Sequence, residues 1–321
     1  MPPDRPRSAR FVMVVVASLA ILSAIAFMTI GAKGPWSFIL AHRGMRLAAL
    51  VTVAYAIALS TVLFQTLTGN RILTPAVMGF DALFLLLQTS LVAALGGAGA
   101  GAIDPRLLFS VECLAMVGLS GLLFRLLFRG EGRNLPLVVL SGLLFGALFR
   151  SLSSFLQRIM DPNDFLVLQG RTFASFNVVD PALIGVAALL AVAATVIVLP
   201  RLAELDVLVL GRDRATGLGV DTARLSAIVF AVVAVLVSAS TALVGPTTFF
   251  GLLVANLAYL LIPSAKHAEV LPVAIGLAIV TLVGGQMLLE RLLGFGTALS
   301  IVIDFVGGVT FLLILFRSGR R

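Results

Sequence analysis

The chain has 321 residues, of which 60% are hydrophobic, and its mean hydropathy is +1.12. A soluble protein of this length could not bury so much apolar surface, and the continuous apolar runs argue against the alternating strands of a transmembrane β-barrel. The net charge of +8 is attributed to arginines in cytoplasmic loops, because no basic aromatic platform for nucleic acid is present. The sequence therefore predicts an all-α polytopic membrane protein that binds membrane lipid and no nucleic acid.

About ten membrane-spanning helices are predicted along a single domain, 1–321. They lie at 11–30, 46–66, 76–95, 105–128, 135–155, 181–199, 225–244, 248–262, 271–290 and 298–316. The first is expected to be an uncleaved helix, because no small-x-small cleavage site closes it. The third is shortened by Gly79 and interrupted by glycines at 96–101, and the eighth is short. Such segments often line a translocation path.

The distribution of basic residues predicts the orientation of these helices. With the N-terminus inside, most of the 23 lysines and arginines fall in cytoplasmic segments. Both termini are therefore expected on the cytoplasmic side. The outer loop 156–180 is amphipathic, and we expect either a partner surface or a helix at the headgroups there.

Residues that could support chemistry are sparse. Cys113 is the only cysteine, and His42 and His267 lie far apart in the sequence, so no metal site is expected. The two lysines, Lys33 and Lys266, do not stand in a P-loop, which requires G-x-x-x-x-G-K-[ST]. We therefore predict no catalytic residue and no cofactor in this chain, so that energy comes from a separate subunit or from an ion gradient.

The candidates for functional charges within the predicted spans are Asp81, Glu112, Arg150 and Asp304. Asp81 is predicted to cap a helix N-terminus. Glu112 is the strongest candidate for a proton relay, yet it could equally pair with Arg150 in the next span, and structural pairing is favoured. The alternative function is a proton-coupled secondary transporter of a small organic solute, with Glu112, Arg150 and Asp304 as its relay.

A polar segment at about 201–224 stands between long apolar runs. Its apolar residues Leu205, Val207, Leu208 and Leu210 precede the charged run 212–214, which gives the apolar anchors and charged rim of a helix that docks in a groove. Gly217 and Gly219 allow a tight turn. A solvated linker is the alternative, and docking is favoured.

Several motifs carry a family resemblance. LGRDRATGLGV at 210–220 resembles the L-G-x-x-x-A-x-x-L-G-V signature of the FecCD family of ABC-transporter permeases, which import iron–siderophore complexes, haem and cobalamin. The segments 69–89 and 244–260 and the closing run 307–311 also follow the family pattern. One departure is Ala255-Asn256, where many members carry Pro-His. The form of 70–81 is similar to a branch that serves catecholate siderophores.

The resemblance implies a BtuC-like permease fold in a bacterial inner membrane. Two permease subunits, identical or different, would enclose the path, with cytoplasmic P-loop ATPases below and an extracytoplasmic siderophore-binding protein above. ATP-Mg would bind to the partner ATPase, and the segment ending at 220 would be its coupling helix.

The resemblance and the residue chemistry together give three sets of candidate residues. Coupling is assigned to Leu205, Leu208, Leu210, Gly211, Arg212, Asp213, Ala215, Leu218, Gly219 and Val220. Pathway candidates are Gln65, Asn70, Pro75, Gly79, Asp81, Gln88, Gly245, Pro246, Phe249, Phe250, Asn256 and Gln286. The arginines available to dock a binding protein are Arg43, Arg46, Arg106, Arg158, Arg171 and Arg291.

Overall fold

The computed structural model describes residues 9–31, 35–127, 135–173, 175–176, 179–262, 264, 266–292 and 301–309. Within these ranges the protein is helical and contains no strand. The helices are α1 (Ala9–Thr29), α2 (Trp36–Thr68), α3 (Phe80–Gly101), α4 (Pro105–Leu127), α5 (Leu135–Ile159), α6 (Pro162–Thr172), α7 (Pro181–Val198), α8 (Leu202–Leu208), α9 (Arg212–Gly217), α10 (Thr222–Val244), α11 (Phe250–Leu261) and α12 (His267–Leu292). Two 3₁₀ turns, Pro75–Met78 and Leu199–Arg201, join them, and 301–309 is also helical.

The centre of the protein is formed by α2 and α10. Their most apolar windows are each 72% buried, whereas that of α1 is 17% buried. The helix α2 packs against α7, α10, α11 and α12, and α1 covers the outer side of α12. The apolar face of a central helix therefore meets protein, while α1 presents Val14, Leu19 and Leu22 to the outside.

Most predicted spans correspond to observed helices. Seven helices in the described ranges are long and apolar enough to cross a membrane, and α11 is a shorter apolar helix. The last predicted span is described only over 301–309, so the count of ten remains a prediction. The interruption predicted in the third span is observed, because Gly96 leaves helical geometry inside α3 with φ +69° and ψ +167°.

The loop 156–180 contains the short helix α6, which packs on α3. Its Leu168 is buried with Val92 and Ala100, and the Asp164 carboxylate accepts a hydrogen bond of 2.7 Å from the Gly97 backbone N–H. That carboxylate therefore satisfies a donor released by the break at Gly96. The helix α6 is fixed to the bundle at this contact.

Glycines allow α5 to approach the 3₁₀ turn Pro75–Met78 closely. A Cβ placed at Gly142 would lie 3.0 Å from the Met78 carbonyl oxygen, and one at Gly79 would lie 3.0 Å from the Gly146 Cα. Gly142 and Gly146 have the small-xxx-small spacing that lets backbones meet in membrane proteins. Gly79 also has φ +90°, a conformation that other residues rarely adopt. This contact fixes the irregular backbone that leads into α3.

Candidate functional site

The polar segment 201–224 folds into two short helices, α8 and α9, joined by Gly211 at φ +104°. The helix α9 ends in a Schellman motif, in which the Val220 N–H bonds to the Ala215 carbonyl and the Gly219 N–H to the Thr216 carbonyl, both at 3.0 Å. Gly219 has φ +86°, as this motif requires. Asp221 then caps α10 by accepting from the Arg224 backbone N–H. The segment is therefore a defined hairpin between α7 and α10.

The segment has one face inside the protein and one outside. Leu205, Leu208 and Ala215 are at most 5% exposed and belong to the main core, whereas Leu210 and Leu218 are 52% and 65% exposed. The prediction that Leu205 and Leu208 form the docking patch is therefore corrected. They attach the hairpin to its own chain, because helical spacing places them on the inward side of α8.

The exposed coupling candidates form a continuous outer surface. Its residues in sequence order are Val209, Leu210, Gly211, Asp213, Arg214, Thr216, Gly217, Leu218 and Gly219. Val209 is 45% exposed and was missed at the sequence level. Arg212 is only half-exposed, and its guanidinium donates to the Ser226 hydroxyl at 3.0 Å. This outer surface, called the hairpin surface below, combines apolar anchors with charged side chains, as a docking site does.

A buried histidine connects the hairpin to two long helices. His267, the first residue of α12, is 2% exposed. Its ring Nδ1 and backbone N both lie within 2.8 Å of Asp206 Oδ1 on α8, and its Nε2 lies 2.7 Å from Thr66 Oγ1 on α2. Because these residues are distant in sequence, no local motif indicated the contact.

The same end of the bundle holds the loop around Arg71. Its carbonyl oxygen accepts hydrogen bonds from Gln65 Nε2 at 2.7 Å and Asn256 Nδ2 at 3.2 Å. Its guanidinium carbon lies 4.4 Å above the Tyr259 ring, a cation–π arrangement. Gln65 and Asn256 therefore have a structural partner, and Asn256 takes part in this contact without the titratable ring found in many family members.

Two irregular segments, one leading into α3 and the other joining α10 to α11, meet halfway along the bundle. Thr248 Oγ1 donates to Asp81 Oδ2 at 2.9 Å, and the Phe249 backbone N–H donates to Asp304 Oδ1 at 3.1 Å. Asp81 makes no side-chain bond that caps α3. A small cavity of about 30 Å³ beside Asp81 is lined by hydroxyl side chains and backbone from α2, α10 and the two segments. The hydroxyl-bearing residues around it are Ser60, Thr61, Thr74, Ser240, Thr241, Thr247 and Thr248.

The predicted pairing of Glu112 with Arg150 is not observed. Glu112 Oε1 instead accepts a 2.6 Å hydrogen bond from Gln88 Nε2, and Gln88 Oε1 accepts from Arg171 on α6 at 3.4 Å. Arg150 lies on α5, where its guanidinium is next to Gly146. Glu112 is thus separated in its contacts from the other charges proposed for a proton relay.

We expect Glu112→Gln to retain transport and its pH profile, because the amide keeps the oxygen that accepts from Gln88. Glu112→Leu removes that acceptor and should destabilise the protein by about 1–3 kcal/mol. Uptake in cells at several pH values, with thermal unfolding of the purified protein, measures both effects. A complete loss of uptake in Glu112→Gln at normal expression would instead support proton relay.

The pathway candidates occupy different environments. Phe250 and Gln286 are buried at 0% and 2% exposure, whereas Phe249 is 38% exposed. Asn70 is exposed, and its side-chain oxygen accepts from the Ile72 N–H at 2.9 Å. Pro75, Gly79 and Gly245 belong to the irregular backbone around the hydroxyl-lined cavity or its flanks. The assignment of these residues to a path remains a prediction.

The arginines predicted to dock a binding protein lie at the opposite end from the hairpin. Arg43 donates to carbonyls at the C-terminal end of α1, and the Arg291 guanidinium donates to the Ile30 carbonyl. Arg46 lies 3.6 Å from Glu290. Arg43 and Arg291 therefore place positive charge at the C-terminal ends of α1 and α12, where the helix dipole favours it.

The remaining outer arginines differ in availability. Arg106 Nε donates to Asp180 at 2.9 Å, and this bond, with that from the Ala182 N–H, lowers the pKa of the Asp180 carboxyl from its ordinary value. Arg171 donates to the Ala100 carbonyl and to Gln88. Arg158 is exposed near the end of α5, and among the described residues it has no hydrogen-bond or ionic partner. Arg158 is therefore the most available of the six.

The bundle of long apolar helices with a polar two-helix hairpin at one end defines a multi-pass membrane protein. The FecCD transport family model matches residues 9–317, and the chain belongs to this family. It is therefore a transport component and not an enzyme.

Two relatives extend over nearly the whole chain. It is 40% identical over 307 residues to the petrobactin import system permease protein YclO of Bacillus subtilis (strain 168). The aligned region covers 94% of this chain and 98% of that relative. It is 32% identical over 312 residues to the petrobactin import system permease protein FatC of Bacillus anthracis, with 96% and 88% covered.

Solved structures show the same fold at lower identity. A metal-chelate type ABC transporter in an inward-facing conformation matches with a TM-score of 0.83 at 21% identity, over 96% of this chain and 99% of that chain. PsaBC from Streptococcus pneumoniae, in complex with Fab, matches with a TM-score of 0.53 at 13% identity, over 91% and 94%. The first match covers both chains almost completely, so the fold is that of an ABC-transporter permease.

Proposed function

We propose that this chain is the permease subunit of an ATP-driven importer of iron–siderophore complexes in a bacterial inner membrane. The observation that carries the proposal is the end-to-end similarity to two permeases named for petrobactin import. Petrobactin is therefore the first cargo to test. The segment 70–81 agrees with this choice, because it is similar to the branch of the family that serves catecholate siderophores. The chain would form the path together with a second, related permease subunit.

The hairpin surface would bind a cytoplasmic P-loop ATPase that carries ATP-Mg. The exposed apolar side chains Val209, Leu210 and Leu218 support this role, because aliphatic groups beside a charged rim suit a groove on a partner. The sequence has no P-loop of its own, which agrees with hydrolysis on another subunit.

The orientation proposed is ten spans with both termini in the cytoplasm. The C-terminal end of α2, which carries Thr66, and the C-terminal end of α7, which leads into the hairpin, lie at one end of the bundle. The start of α12 lies at the same end. This face also carries the basic residues Arg71, Arg201 and Arg224, as expected for a cytoplasmic surface. The face with Arg158 would then meet an extracytoplasmic siderophore-binding protein.

The test is uptake of radioactive iron bound to petrobactin. A strain lacking its own petrobactin permeases would receive this chain with the ATPase, second permease and binding protein of its transport system. We expect uptake that depends on this chain and on ATP, and co-purification of a P-loop ATPase in mild detergent. Uptake that persists without ATP but collapses when the proton gradient is dissipated would contradict the proposal.

We expect Arg158→Glu to weaken association with an acidic binding protein, because reversing a charge at an interface rim mainly reduces the association rate. The loss should be about tenfold at low salt and smaller at high salt, where the charges are screened. Surface plasmon resonance at two salt concentrations measures it. Arg125→Glu, at the opposite end of the bundle, is the control, and equal binding by both variants would contradict a docking role for Arg158.

A further inference from the structure

We propose that Asp206, His267 and Thr66 form a link that transmits movement of the hairpin to α12 and α2. The inference rests on the proposed function, since it assigns positioning residues to an ATP-driven transport cycle. The three residues belong to α8, α12 and α2, which are distant in sequence and also pack against one another.

The chemistry of the link is specific at each position. A carboxylate can only accept hydrogen bonds, so Asp206 Oδ1 receives both the backbone N–H of His267 and a hydrogen on ring Nδ1. In the neutral ring Nε2 is then an acceptor that lies 2.7 Å from Thr66 Oγ1, and the single hydroxyl hydrogen of Thr66 is shared between Nε2 and the Val62 carbonyl oxygen at 3.0 Å. The imidazole therefore bridges two groups that cannot reach one another directly.

Asp206 connects the partly exposed surface of α8 to the buried first residue of α12. It follows Leu205, which is buried, and its own side chain is 33% exposed, whereas that of His267 is 3% exposed. Its carboxylate faces the first backbone N–H of α12, where a negative charge is stabilised by the helix dipole. A shift of α8 would therefore act on the start of α12 through a short charge-assisted contact as well as through apolar packing.

The other end of the link meets the central helix of the protein. Thr66 lies in the last turn of α2 and is 7% exposed. The helix α2 contacts α7, α10, α11 and α12, so a displacement of its end is transmitted to most of the core. Apolar contacts such as that of Leu205 hold the hairpin in place, while the hydrogen bonds fix which positions of α8, α12 and α2 occur together.

Two substitutions of His267 test its contact with Asp206 and its contact with Thr66 separately. In His267→Asn the side-chain amide can take the place of Nδ1 and keep Asp206, but it cannot reach Thr66. In His267→Gln the longer amide can take the place of Nε2 and keep Thr66, but it loses the Asp206 side-chain contact. Asp206→Asn retains an oxygen that accepts hydrogen bonds, and Asp206→Ala removes it. Thr66→Ser retains the hydroxyl, and Thr66→Val removes it.

The experiment measures ATP hydrolysis and siderophore uptake in proteoliposomes that contain the whole importer. We expect both His267 variants, Asp206→Ala and Thr66→Val to assemble and hydrolyse ATP, while uptake per ATP falls about tenfold. Asp206→Asn and Thr66→Ser should recover most of the uptake per ATP. Glu269→Gln, which alters the contact with Ser264 at the same end of α12, is the control and should behave as wild type.

Three results overturn the link. Wild-type uptake per ATP in the His267 variants shows that the contact transmits nothing. Parallel losses of assembly, hydrolysis and uptake, without recovery in the conservative variants, show a purely structural role. If wild-type chain supports neither uptake nor ATPase binding, the proposed function itself fails, and the link fails with it.

Discussion

Leu218→Asp is expected to abolish siderophore uptake while leaving the folded permease in the membrane. Leu218 is 65% exposed at the end of α9, and its own chain does not bury it. A carboxylate there removes an apolar anchor and places a charge in a contact that excludes water. Loss of such an anchor weakens binding by at least about 2 kcal/mol, roughly 30-fold in Kd.

Co-purification of the ATPase and uptake in cells measure this effect, with Leu218→Met as the matched control that retains apolar area. Leu205→Asp should behave differently, because it places a charge at a site that is 0% exposed and should prevent folding. Normal uptake in Leu218→Asp would show that the hairpin surface does not bind the ATPase at this residue.

Leu218 and Leu205 show what the sequence could not predict about the coupling segment. The polar composition and the glycines at 217 and 219 predicted a docking segment with a tight turn. Gly219 has the positive φ that a turn requires, whereas Gly217 is the last residue of α9 and has none. Composition could not show which leucines face outward. That depends on how α8 packs against α2 and α12, a tertiary property that a seven-residue helix does not encode locally.

The partner predicted for Glu112, Arg150, was wrong. The expectation for Glu112 rested on adjacency of α4 and α5 in sequence. The observed partner is Gln88 on α3, with Arg171 contributed by α6 from the outer loop. Arg171 reaches Gln88 because α6 packs on α3, and the composition of α6 alone does not indicate where it packs.

His267 illustrates a different limit. In the sequence, His267 stands far from the other histidine, His42, and no local motif suggested a partner for it. Its partners are 61 and 201 residues away in sequence. Hydrogen bonds of that separation depend on the packing of α8, α12 and α2, so only the folded chain shows that His267 joins them.

The backbone around Gly79 was better predicted, since Gly79 was expected to shorten the third span and α3 does begin directly after it. Gly79→Ala is expected to destabilise the permease through two separate effects, backbone strain and overpacking. Alanine at φ +90° is strained by roughly 1–2 kcal/mol, and its Cβ would meet the backbone of Gly142 and Gly146 at 3.0–3.1 Å. Overpacking of this kind adds roughly 1–3 kcal/mol.

Three other glycines separate the two effects. Gly69 has φ +62° but open space around it, so Gly69→Ala measures strain alone. Gly142 lacks a positive φ but faces the Met78 backbone, so Gly142→Ala measures close approach alone. Gly185 has neither constraint, and Gly185→Ala should be neutral or slightly stabilising in α7.

Thermal unfolding of these four detergent-solubilised variants should therefore rank Gly79→Ala as the least stable and Gly185→Ala as the most stable. A loss in Gly79→Ala no larger than that in Gly69→Ala would show that α5 yields to an added methyl group. The contact with α5 would then be loose, and the irregular backbone beside Asp81 would not be held by it. A loss near the sum of those in Gly69→Ala and Gly142→Ala would establish that the glycines of α5 hold this backbone at the middle of the bundle.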